Sequence, residues 1–448
     1  GPPIALHSTD YLAEQLETPR YVGAENLREM VEAGEQWAIG EDTECSKEAE
    51  EIIKTRLLGQ VFAVAGQIVD EEICSLEDVD RGAKVGLRWA KGPFELANRI
   101  GIDVARSMAA DYSELANFPL PKTWERDSKF DFNYVDLQVD GDIATITINR
   151  PEAMNALNET VVGQLGNAID MANSNEDVAT IVLDGAGKAF VAGADVKFFV
   201  DKIKADSFPD IYDFTADGHV VLNKLEDSSK TTIALTTGLS LGGGLELALS
   251  CDYRIGTRKT QFRFPETSIG IFPGLGGTQR PARISGIPAA RWAVLAGNFM
   301  DSQTAADLGL VTDLVDVTEV DSTINKLSKL GKPAEKYPGT PANTDSPVVK
   351  FANSFYSDEN LLSLIEGNCP EGFDSEDKLV ARQLRSLSRT APIALQMASD
   401  LIDAAAETSL KQGLSQELDN LEKIFSTSDA LEGLSALIEG RKPTYQNS

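Results

Sequence analysis

The chain has 448 residues, 42% apolar and 25% charged, a balance that suits folded domains and excludes a chain disordered throughout. Its 70 acidic residues against 41 basic ones leave a formal charge of −29, which repels nucleic-acid phosphates and argues against a nucleic-acid partner. Two histidines, His7 and His219, are too few for a His-rich metal site, and any Ser–His or Cys–His mechanism must use one of them.

The length suits two to four domains of about 100–200 residues. No run nears the roughly 18 consecutive apolar residues of a membrane helix, so no membrane association is expected. Cys45, Cys74, Cys251 and Cys369 are scattered, with no Cys-x-x-Cys, which favours a reducing compartment. No cleavable signal pattern opens the chain, and a cytoplasmic location is expected. The acidity reads as a well-solvated surface, with adaptation to a salty cytoplasm as the alternative.

Gly1-Pro2 has the form of a protease scar. From about Tyr11 to Ile100 the pattern is helical: Ile52, Leu57, Val61, Val64 and Ile68 fall near helical spacing, and Ser75 with Asp78 forms a helix-start signal. The Pro-rich stretch around Phe118 to Pro121 reads as a linker, giving an all-helical domain over 1–125 and a second domain over 126–448. After Phe130 two alternating runs, Tyr134 to Val139 and Ile143 to Ile148, flank Asp140-Gly141-Asp142 and predict a hairpin. A helix from Glu159 to Met171, a strand from Ala179 to Leu183, helix to Leu225, a strand from Thr231 to Thr236, a short helix after Gly244 and a strand from Tyr253 to Gly256 follow. Strands alternating with helices predict an α/β layered domain. From Ala289 the pattern is helical again apart from a strand at Leu310 to Val315. Residues 329–377 read as an irregular insertion and the last sixty as a helical tail.

Three stretches carry chemistry. In Leu241-Gly-Gly-Gly-Leu-Glu-Leu-Ala-Leu249 the glycines permit a tight turn, and the helix that follows starts with unpaired N–H groups that stabilise developing negative charge. Glu246 in its first turn is either a carboxylate matched to a helix N-terminus or a working acid. Ala189-Phe-Val-Ala-Gly-Ala-Asp-Val196 can let a ligand approach the backbone and add a second N–H donor. Glu266 follows a proline at the end of the apolar strand Phe262 to Phe264, where a carboxylate has little structural reason to be, and Gly274, Gly276 and Gly277 let the next loop pass close by. None of these stretches has the spacing of a nucleotide-binding loop.

Taken in order, NRPEAMNAL (149–157), AFVAGADVK (189–197), LGGGLELAL (241–249), FPETSIGIFPGLGGTQR (264–280) and DALEGLSALIEGRKP (429–443) resemble the enoyl-CoA hydratase (crotonase) family. The resemblance implies a repeated ββα spiral with a helical C-terminal region, a homo-oligomer (trimer or dimer-based), and acyl-CoA thioester substrates. It also implies that Ala194 and Gly243 supply the backbone N–H groups of an oxyanion hole, that Glu246 and Glu266 flank the reacting water, and that Gly274 lies near that water. Ala153, Ala192, Lys197, Arg441 and Lys442 fall where the family contacts CoA. Glu152 departs from the family pattern, where a Lys is common.

The stretch from Pro19 to Gly34, Thr55-Arg-Leu-Leu, SLEDVD (75–80) and KGPFELANRIGID (91–103) resemble the C-terminal helical repeats of 3-hydroxyacyl-CoA dehydrogenases. Thr55 stands where an active repeat carries Asn, and no nucleotide-binding fingerprint accompanies it, so this part is expected to be structural. The chain thus resembles the hydratase part of a dehydrogenase–hydratase fusion, and whether a separate dehydrogenase half acts with it stays open. Reversible hydration of trans-2-enoyl-CoA is the expected reaction, with Glu246 as base toward water and Glu266 as proton carrier to Cα. It requires no metal or redox cofactor, CoA arriving as part of the substrate. A double-bond isomerase and a non-catalytic acyl-CoA-binding module are the alternatives. Phe198, Phe199 and Phe272 either shorten the acyl pocket or are ordinary core.

Overall fold

The computed structural model describes residues 2–15, 22–36 and 46–448; Cys45, and parts of the predicted N-terminal helical region, lie outside the described residues. The chain divides into two compact units, one ending at Phe132 and the other starting at Asn133.

The first unit is helical: α1 (Pro2–Gln15), α2 (Glu25–Glu32), α3 (Lys47–Asp70), α4 (Leu76–Gly86), α5 (Pro93–Ile100) and α6 (Ile102–Ala116). Ser46 and Ser75 start α3 and α4 by accepting the Ala49 and Asp78 amides, satisfying donors that a helix start leaves free. Pro93 opens α5, where a missing N–H removes no helical bond, and Asp80 accepts the Phe94 and Glu95 amides at 2.8 Å. By length and composition α3 is apolar enough to cross a membrane, yet its Phe62–Gly66 face belongs to a packed core. There Phe62, Phe94, Trp124 and Phe130 meet, and the Trp124 indole donates to the Phe62 carbonyl at 3.0 Å.

The second unit begins with the predicted hairpin, β1 (Val135–Asp140) and β2 (Ile143–Ile148), then α7 (Glu159–Ser174), capped by Asn158. From there the chain winds in repeated turns. Each turn lays a strand in a large sheet, then one in a small sheet, then helix: β3 (Thr180–Gly185), β4 (Ala189–Ala192), α8 (Val196–Lys204) and α9 (Phe208–Glu226); β5 (Thr231–Thr236), β6 (Leu239–Leu241) and α10 (Gly243–Leu249); β7 (Tyr253–Gly256) and β8 (Gln261–Arg263). Next come α11 (Arg280–Ser285), α12 (Ile287–Val294), β9 (Met300–Asp301), α13 (Ser302–Asp307), β10 (Asp313–Leu314) and α14 (Val320–Leu330). The large sheet runs β1-β2-β3-β5-β7-β10 and the small one β4-β6-β8-β9, parallel except for β1 and β9. This is the ββα spiral that the resemblance implied. β5 is buried on both faces, as a parallel strand covered on both sides must be.

Two expectations need correction. The strand expected over Leu310 to Val315 is only the two-residue β10, an edge partner of β7. The stretch 329–377 is not wholly irregular: it holds α15 (Pro347–Phe355) and α16 (Asp358–Ile365), whose shortness hid their period behind the surrounding Pro, Gly and Ser. The helical tail follows as α17 (Lys378–Leu387), α18 (Pro392–Ala404), α19 (Leu410–Asp419), α20 (Leu421–Phe425) and α21 (Ser428–Glu439).

Candidate active site

Strand register builds the site. In the small sheet Ala192 on β4 pairs with Leu241 on β6, and Leu241 with Arg263 on β8, so the ends of three neighbouring parallel strands are level. Two residues past each pair stand Ala194, Gly243 and Pro265, with Glu266 next. Ala194 makes a bridge with Leu157 that uses the Gly193 carbonyl and the Asp195 amide, which turns its own N–H to the opposite edge. Gly243 is the first residue of α10, where a helix has no internal acceptor for N–H. Among the described residues, the N–H groups of Ala194, Gly243 and Gly274 have no acceptor. All three residues line one cavity of about 270 Å³, together with Glu246 and Glu266.

Both acids are buried, at 2% and 7% exposure, which leaves solvent little access to either. Glu246 Oε1 accepts the amides of Leu275 and Gly277 at 2.7 and 2.6 Å, whereas Glu266 Oε2 is buried without a hydrogen-bond partner. Burial raises the Glu246 carboxyl to about 7, opposed by those two amides and by the Arg280 charge. Burial and then the Glu246 charge hold Glu266 well above the usual carboxylate range. With no donor on Oε2, Glu266 is the member of the pair that keeps a proton, and Glu246, with two amide donors, is the one that ionises.

Arg280, wholly buried on α11, donates to Glu226 Oε2 at 3.0 Å and to the Leu275 carbonyl at 2.8 Å. His219 on α9 reaches the Gly274 carbonyl at 2.7 Å; a carbonyl only accepts, so Nε2 carries the proton. Burial depresses this imidazole to about 4, and it is neutral near pH 7. Apolar walls come from Phe199, Phe214, Phe272, Ile271, Leu421 and Phe425. Phe199 and Phe272 are thus both buried and cavity-lining, while Phe198 packs against Phe214 outside the lining.

Of the residues singled out in the sequence, Ala192, Ala194, Gly243, Glu246, Glu266 and Gly274 surround the cavity. Ala153 lies outside its lining, in a half-buried turn beside Met154, whose carbonyl accepts the Ala192 amide. Lys197 is exposed in the first turn of α8, also outside the lining. Arg441 and Lys442 follow α21, which does supply Leu434 and Leu437 to the wall, but the Arg441 guanidinium is engaged by Glu432 and Glu439.

Sequence reasoning missed Asn155, His219 and Glu417. Asn155, wholly buried, donates to the carbonyls of Ala186, Ala189 and Phe190 and so fixes the start of β4. Glu417 is wholly buried on α19 and accepts from the Gly276 amide and the Thr278 hydroxyl. Its signal was present: Gly413, Leu414 and Glu417 form the buried face of α19, where an acid interrupts a core face.

Comparisons with known proteins show what each part of the chain is similar to. The model for enoyl-CoA hydratase/isomerase matches residues 143–448, and that for the C-terminal domain of 3-hydroxyacyl-CoA dehydrogenase matches residues 53–129. A probable enoyl-CoA hydratase of Mycobacterium bovis is 31% identical over 303 residues, 68% of this chain and 94% of the relative. A crotonyl-CoA hydratase of Syntrophomonas wolfei is 35% identical over 193 residues, 43% of this chain and 73% of the relative. In fold, a carnitinyl-CoA dehydratase from Mycobacterium thermoresistibile superposes with a TM-score of 0.61 at 21% identity, covering 70% of this chain and 92% of that one. An enoyl-CoA hydratase from Rhodobacter sphaeroides gives 0.60 at 23%, with the same coverage.

Proposed function

The chain belongs to the enoyl-CoA hydratase/isomerase family, and from that premise we propose that it adds water reversibly across the Cα=Cβ bond of trans-2-enoyl-CoA thioesters. The observation that carries this reading is one cavity holding two buried carboxyls and the unpaired amides of Ala194 and Gly243.

Attack of water at Cβ pushes an electron pair through Cα onto the thioester oxygen. The Ala194 and Gly243 amides receive that charge, and removing one such donor typically costs about 2.7–4 kcal/mol of barrier. Ionised Glu246 takes the proton of the attacking water, protonated Glu266 gives one to Cα, and each role is worth roughly 10²- to 10⁴-fold. The Gly274 amide orients the water. An isomerase needs only one carboxylate to shuttle a proton between carbons, and two acids on one cavity favour hydration. No cofactor beyond substrate CoA enters this chemistry. The reading extends to a cytoplasmic homo-oligomer whose 3-hydroxyacyl-CoA product passes to a separate dehydrogenase. Ala192 in the cavity lining, and Ala153, Lys197 and the Arg441-Lys442 pair outside it, are assigned to the CoA moiety.

The test uses crotonyl-CoA, whose conjugated absorbance should disappear on mixing with the protein. Glu266→Gln should abolish the loss while CoA binding persists. A glutamine variant as fast as the parent would remove Glu266 from the mechanism.

A further inference from the structure

Successive amides of one loop serve two acids on its opposite sides. Leu275 and Gly277 donate to Glu246 Oε1, as described, while the intervening Gly276 donates to Glu417 Oε2 at 2.6 Å and Thr278 to Glu417 Oε1 at 3.2 Å. The Thr278 hydroxyl adds a third donor to Glu417 at 2.5 Å. We propose that Glu417 is a positioning residue of the hydration reaction: its carboxyl, gripping Gly276 and Thr278, fixes the loop that hands Glu246 its two amides and turns the Gly274 amide into the cavity. The inference rests on the hydratase reading and adds a residue from α19, far along the chain from both catalytic acids.

Burying the carboxyl is costly, and the three donors of Gly276 and Thr278, which an apolar side chain in its place would leave unpaired, offset that cost. What it does there is hold the alternate face of the loop. The remaining loop groups are fixed by others: His219 Nε2 holds the Gly274 carbonyl and lies 3.8 Å from Glu417 Oε2, and Arg280 holds the Leu275 carbonyl. With Glu417 replaced by Gln, an NH2 that can only donate stands where an oxygen accepted and faces an N–H, and the loop must shift. Displacing a catalytic group by about 1 Å costs on the order of 10²-fold in rate even when the cause is remote.

The experiment compares the full-length parent, Glu417→Gln, Glu246→Gln and the double variant on crotonyl-CoA. Glu417→Gln should lower kcat about 10- to 100-fold with KM within about threefold, and should change the residual rate of Glu246→Gln less than about threefold. Equal losses in both backgrounds, or a kcat within about twofold of the parent, overturn the proposal. A second readout needs no substrate: amide hydrogen exchange at Leu275 and Gly277, which Glu417 does not touch, should accelerate about tenfold or more in Glu417→Gln. Unchanged exchange there overturns the positioning role, whereas an inactive parent with accelerated exchange overturns only the hydratase reading. If Glu417→Gln does not fold, Thr278→Ala removes one donor to the same carboxyl. It should lower kcat about threefold with KM unchanged, and a parent-like kcat overturns the proposal.

Discussion

A Cβ placed on Gly242 would stand 2.0 Å from Glu266 Oε1, so the acid occupies the space a side chain would need. Gly242 also has φ of 44°, in the left-handed region, and its amide donates to the Arg263 carbonyl at 3.0 Å, tying β6 to the chain that leads into Glu266. Gly242→Ala should therefore displace Glu266 and strain the turn that presents the Gly243 amide. The expected result is a kcat loss of at least about 10²-fold on crotonyl-CoA and a stability loss of about 1–3 kcal/mol in denaturant unfolding. Retained activity would place Glu266 outside the chemistry.

Both acids around the Leu275–Thr278 loop make stability depend on pH. Burial and then the Glu246 charge raise Glu417 to about 8 from a starting value of 4.5, and Glu246 itself reaches about 7. Between those limits the folded chain holds protons that the unfolded chain has lost, so stability falls as pH rises through the window and is level above it. His219, depressed to about 4, acts oppositely, but only below its ordinary value of 6.5. Between pH 6.5 and 8 the acids dominate this local set, and Glu417→Gln should flatten the decline by about 1 kcal/mol per pH unit. Chemical unfolding at three pH values measures it; a parallel slope in parent and variant would refute the burial effect.

Activity has its own sign. A base must be ionised, so kcat/KM should rise with pH through about 7, where Glu246 loses its proton. Above that, ionisation of Glu266 supplies the falling limb. A pH–rate profile flat from 5.5 to 8 would deny Glu246 the role of base.

The spiral, and the gathering of Ala194, Gly243, Glu246 and Glu266 around one cavity, were legible because the marks of each are local. Glycines mark the turns, and Glu246 and Glu266 sit within short, recognisable stretches beside their strands. What escaped was long-range. Glu417 meets Gly276 across 141 positions, and His219 meets Gly274 across 55. Neither spacing leaves a periodic trace. The residues assigned to CoA were harder still to place, because Lys197 and Arg441 are exposed side chains whose direction no strand register dictates.

Chain-length preference should reside in the aromatic wall. Phe199 stacks on Phe425 at 5.1 Å and meets Phe214 edge-on at 5.8 Å, and all three line the cavity. Phe199→Ala should open room and raise kcat/KM for longer enoyl-CoAs relative to crotonyl-CoA by about 10-fold, the order expected for one or two methylenes in an apolar pocket. Equal ratios in parent and variant across C4 to C10 substrates would return Phe199 to a purely packing role.

The helical unit supports a separate prediction. Its core depends on Trp124, fully buried, tilted at 5.4 Å from Phe62 and edge-on at 5.4 Å to Phe130, with its indole bonded to the Phe62 carbonyl. Trp124→Ala leaves a cavity and removes the indole bond to the Phe62 carbonyl, a loss of about 3–5 kcal/mol. Every residue assigned to hydration lies after Asn133. Two calorimetric or spectroscopic transitions are therefore expected, with only the one belonging to the helical unit lowered in the variant, while kcat on crotonyl-CoA stays within about twofold of the parent. A kcat that falls together with that transition would make the helical unit part of the catalytic machinery.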